Sequence, residues 1–244
     1  MLIARANPWI CIGLAAIWFA LSIVYPPQQG FTPTLSQIIV SQLFLHFLLL
    51  SATVLTATTT PRDVHAEKTA PLAWPLLVIG TDIFRVPHKA SFLRAVRQGL
   101  GAGVAMTLVS GIISAIIGFV AESSGNDVEL QPIVGIFLRS AWPARVALLV
   151  SITILSPVFE ELFFRYSMES VLTGTLGSRG RAVAYAAFFF AAMHGNLAAF
   201  PSLLLVAAVC SFIYRRTGNI AAPITAHFLF NLVSITLILC GGAE

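Results

Sequence analysis

The sequence predicts an all-α fold, a polytopic integral membrane helical bundle of about seven transmembrane helices in one membrane domain over residues 1–244. Three observations predict it. The 244 residues are 57% hydrophobic and only 10% charged, with a mean hydropathy of +0.89, whereas soluble domains carry roughly 25% charged residues. The apolar residues are gathered into blocks of about 20, the length a helix needs to cross the hydrocarbon core. The segments between blocks alternate between positive and neutral or acidic, as the positive-inside rule requires of a threaded chain.

The blocks run approximately over residues 9–25, 35–58, 99–121, 142–166, 182–194, 201–214 and 220–240. The first follows only Arg5 and lacks an A-x-A cleavage site, so it is expected to be a spanning helix and not a cleaved signal. An uncharged "PPQQGFTPT" leads to the second. The next connection holds Arg62, Lys68, Arg85, Lys89, Arg94 and Arg97. Within it, Pro71 to Gly80 is apolar but too short to span, which fits a re-entrant or interfacial piece. His88 to Leu100 places Phe92, Leu93, Val96 and Leu100 at helical spacing among basic residues. That pattern suits either a basic amphipathic surface helix or an ordinary connector. The third block opens on "GLGAG", with Gly99 and Gly103 four apart, a spacing that permits close helix contact. Glu122, Asp127 and Glu129 follow it, with Arg139 and Arg145 at the entry of block four. Arg179 and Arg181 precede block five, "GNLAAF" leads to block six, and Arg215 and Arg216 precede block seven. This alternation puts the N-terminus in the cytoplasm and the C-terminus outside. No basic stripe marks a nucleic-acid partner. Cys11, Cys210 and Cys240 are isolated in apolar sequence, with no metal spacing, and are expected to be buried or lipid-facing.

Ionisable residues at bilayer depth are costly and usually face the bundle interior. Here they are few: Glu160, Glu161 and Arg165 in block four, His194 at the end of block five, and His227 with Asn231 in block seven. His46, alone in block two, suits an interhelical hydrogen bond. Glu161 and Arg165 are four apart and share a helix face, so they are expected to pair. Glu160 is turned about 100° from Glu161 and is left without that partner. Pro157 upstream is expected to kink the helix and free a carbonyl beside Glu160. His227 and Asn231 share a face, as do Phe190 and His194. With block four ending near Met168, a rise of about 1.5 Å per residue puts the carboxylate, both imidazoles and the amide at similar depth. From type and spacing, catalysis, transport or proton relay, and structural glue all stand open.

The order "EELFFR" (Glu160 to Arg165), "FAAMH" (Phe190 to His194) and "HFLFN" (His227 to Asn231), with the flanking "GNIAAPITAHFLFN", resembles the CPBP family of intramembrane proteases. That family includes the CAAX prenyl endopeptidases and the bacteriocin-immunity (Abi) type. The resemblance covers roughly residues 142–235, a catalytic core, and leaves the N-terminal helices of residues 1–121 unassigned. It implies a glutamic-type intramembrane endopeptidase cutting a membrane-anchored protein or peptide near its C-terminus. Glu160 would activate a water with help from His194. His227 and Asn231 would polarise the scissile carbonyl and hold the oxyanion, with Glu161, Arg165 and Phe190 shaping the site. A carboxylate removed from water is a better base, and fixed donors aimed at an oxyanion act more strongly there.

Rival protease chemistries lack their residues. There is no HExxH helix, Asp63, Asp82 and Asp127 fall in loops, and no serine sits in a GxSxG setting. No cofactor is expected. Zinc on Glu160, His194 and His227 is the remaining variant, since catalytic zinc takes three such ligands. A non-proteolytic immunity or scaffold protein of the same fold is the alternative function, with a small transporter more distant. Short loops, high alanine content and the lack of an organellar signal point to a bacterial inner membrane. The partners expected are the substrate and the lipid bilayer.

Overall fold

The computed structural model describes residues 89–128 and 131–241, together with Gly13 and residues 34–37, 44, 46, 48–51 and 53. Six helices order the continuous part: α1 (Lys89–Ser123), α2 (Pro132–Arg139), α3 (Trp142–Leu176), α4 (Arg179–Ala192), α5 (Phe200–Thr217) and α6 (Ala221–Gly241). No strand occurs among the described residues. Among the described residues four stretches are long and apolar enough to cross a bilayer: Phe92–Ser123, Trp142–Leu176, Phe200–Thr217 and Ala221–Cys240. The chain is an integral membrane protein.

The expectation of about seven spans meets these four. Block five forms α4, whose 14 residues reach about 21 Å at 1.5 Å per residue, short of the roughly 30 Å core. Block one, the Pro71–Gly80 segment and Cys11 lie outside the described residues, and block two is described only in part. His88 to Leu100 is not a separate surface helix. Residues from Lys89 onward are the first turns of α1, and they run into the third block without a break. α2, eight residues started by Pro132, was not anticipated. Its end is held by Arg145, whose guanidinium donates to the carbonyls of Leu138 and Ser140.

α1 shows one apolar face outward, with Val104, Leu108, Ile112, Ile116 and Phe119 exposed. That suits lipid, which has no preference against such side chains. Its opposite face carries Ala95, Gly99, Gly103, Met106 and Ser110, all buried. There it lies parallel to α6 at very close approach. A Cβ on Gly99 would collide with the Ala222 carbonyl oxygen. One on Gly103 would sit 2.9 Å from the Ala226 carbonyl oxygen and 3.1 Å from Leu229. The absent side chains at the "GLGAG" repeat therefore set this interhelical distance.

α3 runs antiparallel to α6. Leu148 packs with Ile235 near one end of the pair, and Leu162 with Ile220 near the other. It extends to Leu176, eight residues beyond the end expected near Met168, where Gly177 takes a left-handed φ of 60° and stops it. Its hydrogen bonding changes register twice, as π-helix over Ser151–Leu155 and Leu162–Met168. α4 and α5 fold back on one another through the turn at Gly195 and supply Ala182, Ala186, Phe190, Leu203, Val206 and Cys210 to the main core. The beginning of α1, the end of α5 and the beginning of α6 meet through Ala95, Ile213 and Ala222. Exposed Arg94, Arg97, Arg215 and Arg216 therefore crowd one end of the bundle.

Candidate active site

Two breaks in regular helix flank the glutamates of α3, at Ser151–Leu155 and Leu162–Met168. In the π-helical stretch the Ser156 N–H bonds back five residues, to the Ser151 carbonyl. In that register the next N–H would serve the Ile152 carbonyl, but residue 157 is proline and has none. Asn231 on α6 fills the gap: its Nδ2 donates to the Ile152 carbonyl at 2.8 Å. Pro157 thus frees a carbonyl, as its position suggested, but eight residues before Glu160 and not beside it. The orphan acceptor, which costs free energy if unpaired, becomes the contact fixing α3 against α6.

One turn past Pro157 stand the two glutamates. Glu161 is fully buried and pairs with Arg165, Nε to Oε2 at 2.8 Å and Nη2 to Oε1 at 3.5 Å. The i,i+4 pair expected from spacing is present. Glu161 also accepts a hydrogen bond from His227 Nδ1 at 2.9 Å. Glu160 was expected to point elsewhere, yet it meets the same imidazole from the other side. Its Oε2 lies 4.0 Å from His227 Nε2. That oxygen is buried and makes no hydrogen bond among the described residues. Because Nδ1–H is committed to Glu161, Nε2 is the nitrogen that His227 turns toward Glu160.

His194 lies just past the end of α4, half-buried, where its Nδ1 donates to the Phe190 carbonyl at 2.7 Å. Phe190 is fully buried and forms the wall between the histidines. Its ring centroid is 4.9 Å from that of His194 and 5.6 Å from that of His227. It also packs edge-on to Phe164 and lies 5.4 Å from the Arg165 guanidinium carbon. Glu160, Glu161, Arg165, Phe190, His194 and His227 thus form one contiguous cluster, with Asn231 one helical turn beyond His227 on α6.

Further polar residues surround this cluster. Glu169 lies one turn after Arg165. Its Oε1 is 3.4 Å from Arg165 Nη1 and also meets the hydroxyl of Ser211 on α5. The four-residue ladder Glu161–Arg165–Glu169 was visible in the sequence, but Ser211, 42 residues on, carried no signal. His46 is buried with its Nε2 3.5 Å from the Ser156 hydroxyl and its ring 4.9 Å from Phe159. It makes an interhelical contact directly before Glu160. Cys210 is buried under the cluster with its thiol toward the Pro223 carbonyl, and Cys240 is exposed on α6.

Among the described residues no three His, Cys, Asp or Glu side chains are gathered so as to hold a metal ion. Both histidines engage Nδ1, with Phe190 and Glu161 respectively, and leave Nε2 as the nitrogen open to the site. The arrangement instead offers a buried carboxylate oxygen facing an imidazole nitrogen, with a second carboxylate bracing that imidazole from behind. This can accept a proton from a small nucleophile and donate to developing negative charge.

Residues 141–233 match a family model described as "Type II CAAX prenyl endopeptidase Rce1-like". No curated protein and no solved structure matches the chain significantly.

Proposed function

We propose that this chain, whose residues 141–233 match the model of Rce1-like type II CAAX prenyl endopeptidases, hydrolyses a peptide bond by glutamic-type catalysis, with Glu160 as general base. The observation that carries this is the Glu160 Oε2, buried, without a hydrogen bond among the described residues, and 4.0 Å from His227 Nε2. A polar gap of that width is the reach of one bridging water. A buried acceptor is otherwise costly enough that folded proteins rarely leave one idle.

In this reading Glu160 takes a proton from water while the water oxygen bonds to the scissile carbonyl carbon. His194, with Nδ1–H tied to the Phe190 carbonyl, turns Nε2 to the same water and helps to hold it. The negative charge moves onto the carbonyl oxygen. His227, carrying a proton on Nε2 and steadied by Glu161, donates to that oxygen, and Asn231 adds its second amide hydrogen. Collapse of the intermediate breaks the C–N bond, and the proton held by Glu160 passes to the leaving amine. No metal takes part in this scheme. The substrate is a membrane-anchored protein or peptide, because the site lies among the spanning helices, and the resemblance to CAAX endopeptidases favours a cut near its C-terminus.

The test is cleavage of membrane-anchored peptides by the full chain in lipid nanodiscs. Glu160→Gln should lower kcat by roughly 10² to 10⁴-fold, the usual contribution of a general base, with KM little changed. Activity should survive a chelator, and the purified protein should carry well under one metal ion per chain. Wild-type turnover in Glu160→Gln would sink the proposal. Loss of activity in chelator, restored by zinc, would replace it with the zinc variant.

A further inference from the structure

The cluster does not end at the residues that face the substrate. Arg165 is among the largest fully buried side chains among the described residues, 1% exposed. Its guanidinium is held from two sides. One turn earlier Glu161 takes Nε at 2.8 Å and Nη2 at 3.5 Å. One turn later Glu169 approaches Nη1 at 3.4 Å. Glu169 is itself anchored outside its own helix, because its Oε1 meets the Ser211 hydroxyl, which also reaches the Ala207 carbonyl one turn back on α5 at 2.9 Å. From Ser211 on α5 an unbroken polar chain therefore runs through Glu169, Arg165 and Glu161 to His227 Nδ1 on α6.

We infer that Glu169 and Ser211 are positioning residues for His227. Their contact fixes the guanidinium in rotation, the fixed guanidinium orients the Glu161 carboxylate, and that carboxylate sets which nitrogen of His227 faces Glu160. Geometry favours this reading. A planar guanidinium with five donors on a long flexible stem needs contacts on more than one edge to be held in one rotation. Leu162–Met168 is π-helical, so this part of α3 lacks the regular i→i−4 pattern that would otherwise fix side-chain direction. Neither Glu169 nor Ser211 touches Glu160, and neither lies within the three sequence motifs. Their effect on turnover must pass through Arg165.

The inference rests on the protease reading, and the experiment separates the two. Cleavage kinetics and thermal melting are measured on the full chain in nanodiscs for wild type, Glu160→Gln, Ser211→Ala, Glu169→Leu and Glu169→Gln. Small misplacement of a catalytic group costs up to about a hundredfold in rate. Glu169→Leu and Ser211→Ala should therefore lower kcat about tenfold or more with KM within about twofold. Glu169→Gln keeps an acceptor oxygen for Arg165 and Ser211 and should recover most of the lost kcat. Wild-type kcat in Glu169→Leu or Ser211→Ala overturns the inference, as does a change confined to KM. If Glu169→Leu fails to fold, Ser211→Ala decides: reduced kcat at an unchanged melting temperature supports positioning, and unchanged kcat refutes it. If Glu160→Gln cleaves like wild type, the protease reading itself has failed.

Discussion

Substitution of each glutamate by glutamine separates the roles of adjacent carboxylates. Glu161 is fully buried between Arg165 and His227. Removing its charge leaves Glu169, at the longer contact, as the one carboxylate described beside the guanidinium. Breaking one partner of a buried pair costs about 3 to 5 kcal/mol. Glu161→Gln should therefore lower the melting temperature as well as activity. Glu160 holds no such pair, and one of its oxygens is buried with no hydrogen bond among the described residues. Glu160→Gln should stop cleavage while the melting temperature stays level or rises. Thermal melting in nanodiscs beside a cleavage assay checks both, and equal destabilisation by the two substitutions would contradict the division. That one glutamate would pair with Arg165 was legible from four-residue spacing. That both converge on a single imidazole was not, because the partner lies 66 residues away on a helix whose rotation no local rule fixes.

At the scale of the element, the π-helical stretch before Pro157 and the amide of Asn231 form one device. Asn231→Ala removes the donor described for the Ile152 carbonyl, at about 1 kcal/mol for a part-buried hydrogen bond. Pro157→Ala restores an N–H at the position the five-residue register requires. The double variant Asn231→Ala/Pro157→Ala should therefore be more stable than the sum of the single effects predicts, by about 1 kcal/mol of coupling. Additive losses in denaturation would show that Asn231 does not serve this carbonyl. In the sequence the proline announced a kink. The change of register that decides which carbonyl is freed leaves no mark in residue type, since Ser151–Leu155 reads as ordinary apolar helix.

At the scale of the whole molecule, the site depends on how closely α6 lies against α1. His227 directly follows Ala226, whose carbonyl faces Gly103 at a distance that admits no side chain. Gly103→Leu should push the helices apart, destabilise by about 1 to 3 kcal/mol and lower kcat through displacement of His227. Gly101, on the exposed side of the same helix with nothing within 4 Å of an added Cβ, is the control. Gly101→Leu should leave melting and turnover unchanged. Equal effects at the two positions would place the cost in helix propensity and not in packing.

Composition, apolar block length and three short motifs by themselves determined that this chain is a helical membrane protein, that the candidate site draws on blocks four, five and seven, and that Glu161 pairs with Arg165. These follow from local facts: the length of a bilayer-crossing helix and the 3.6-residue turn. The tertiary structure decided what depends on rotation and depth. It made α4 shorter than a span, carried α3 on to Leu176, and joined Lys89 to Leu100 to the spanning helix α1. It turned Glu160 and Glu161 onto opposite nitrogens of His227, gave Asn231 to the Ile152 carbonyl, and brought Glu169 and Ser211 behind Arg165. In lipid, apolar side chains have no preference for the protein interior, so hydrophobic periodicity does not tell a membrane helix which way to face. That choice is made by small residues that permit close approach and by polar groups that must find one another.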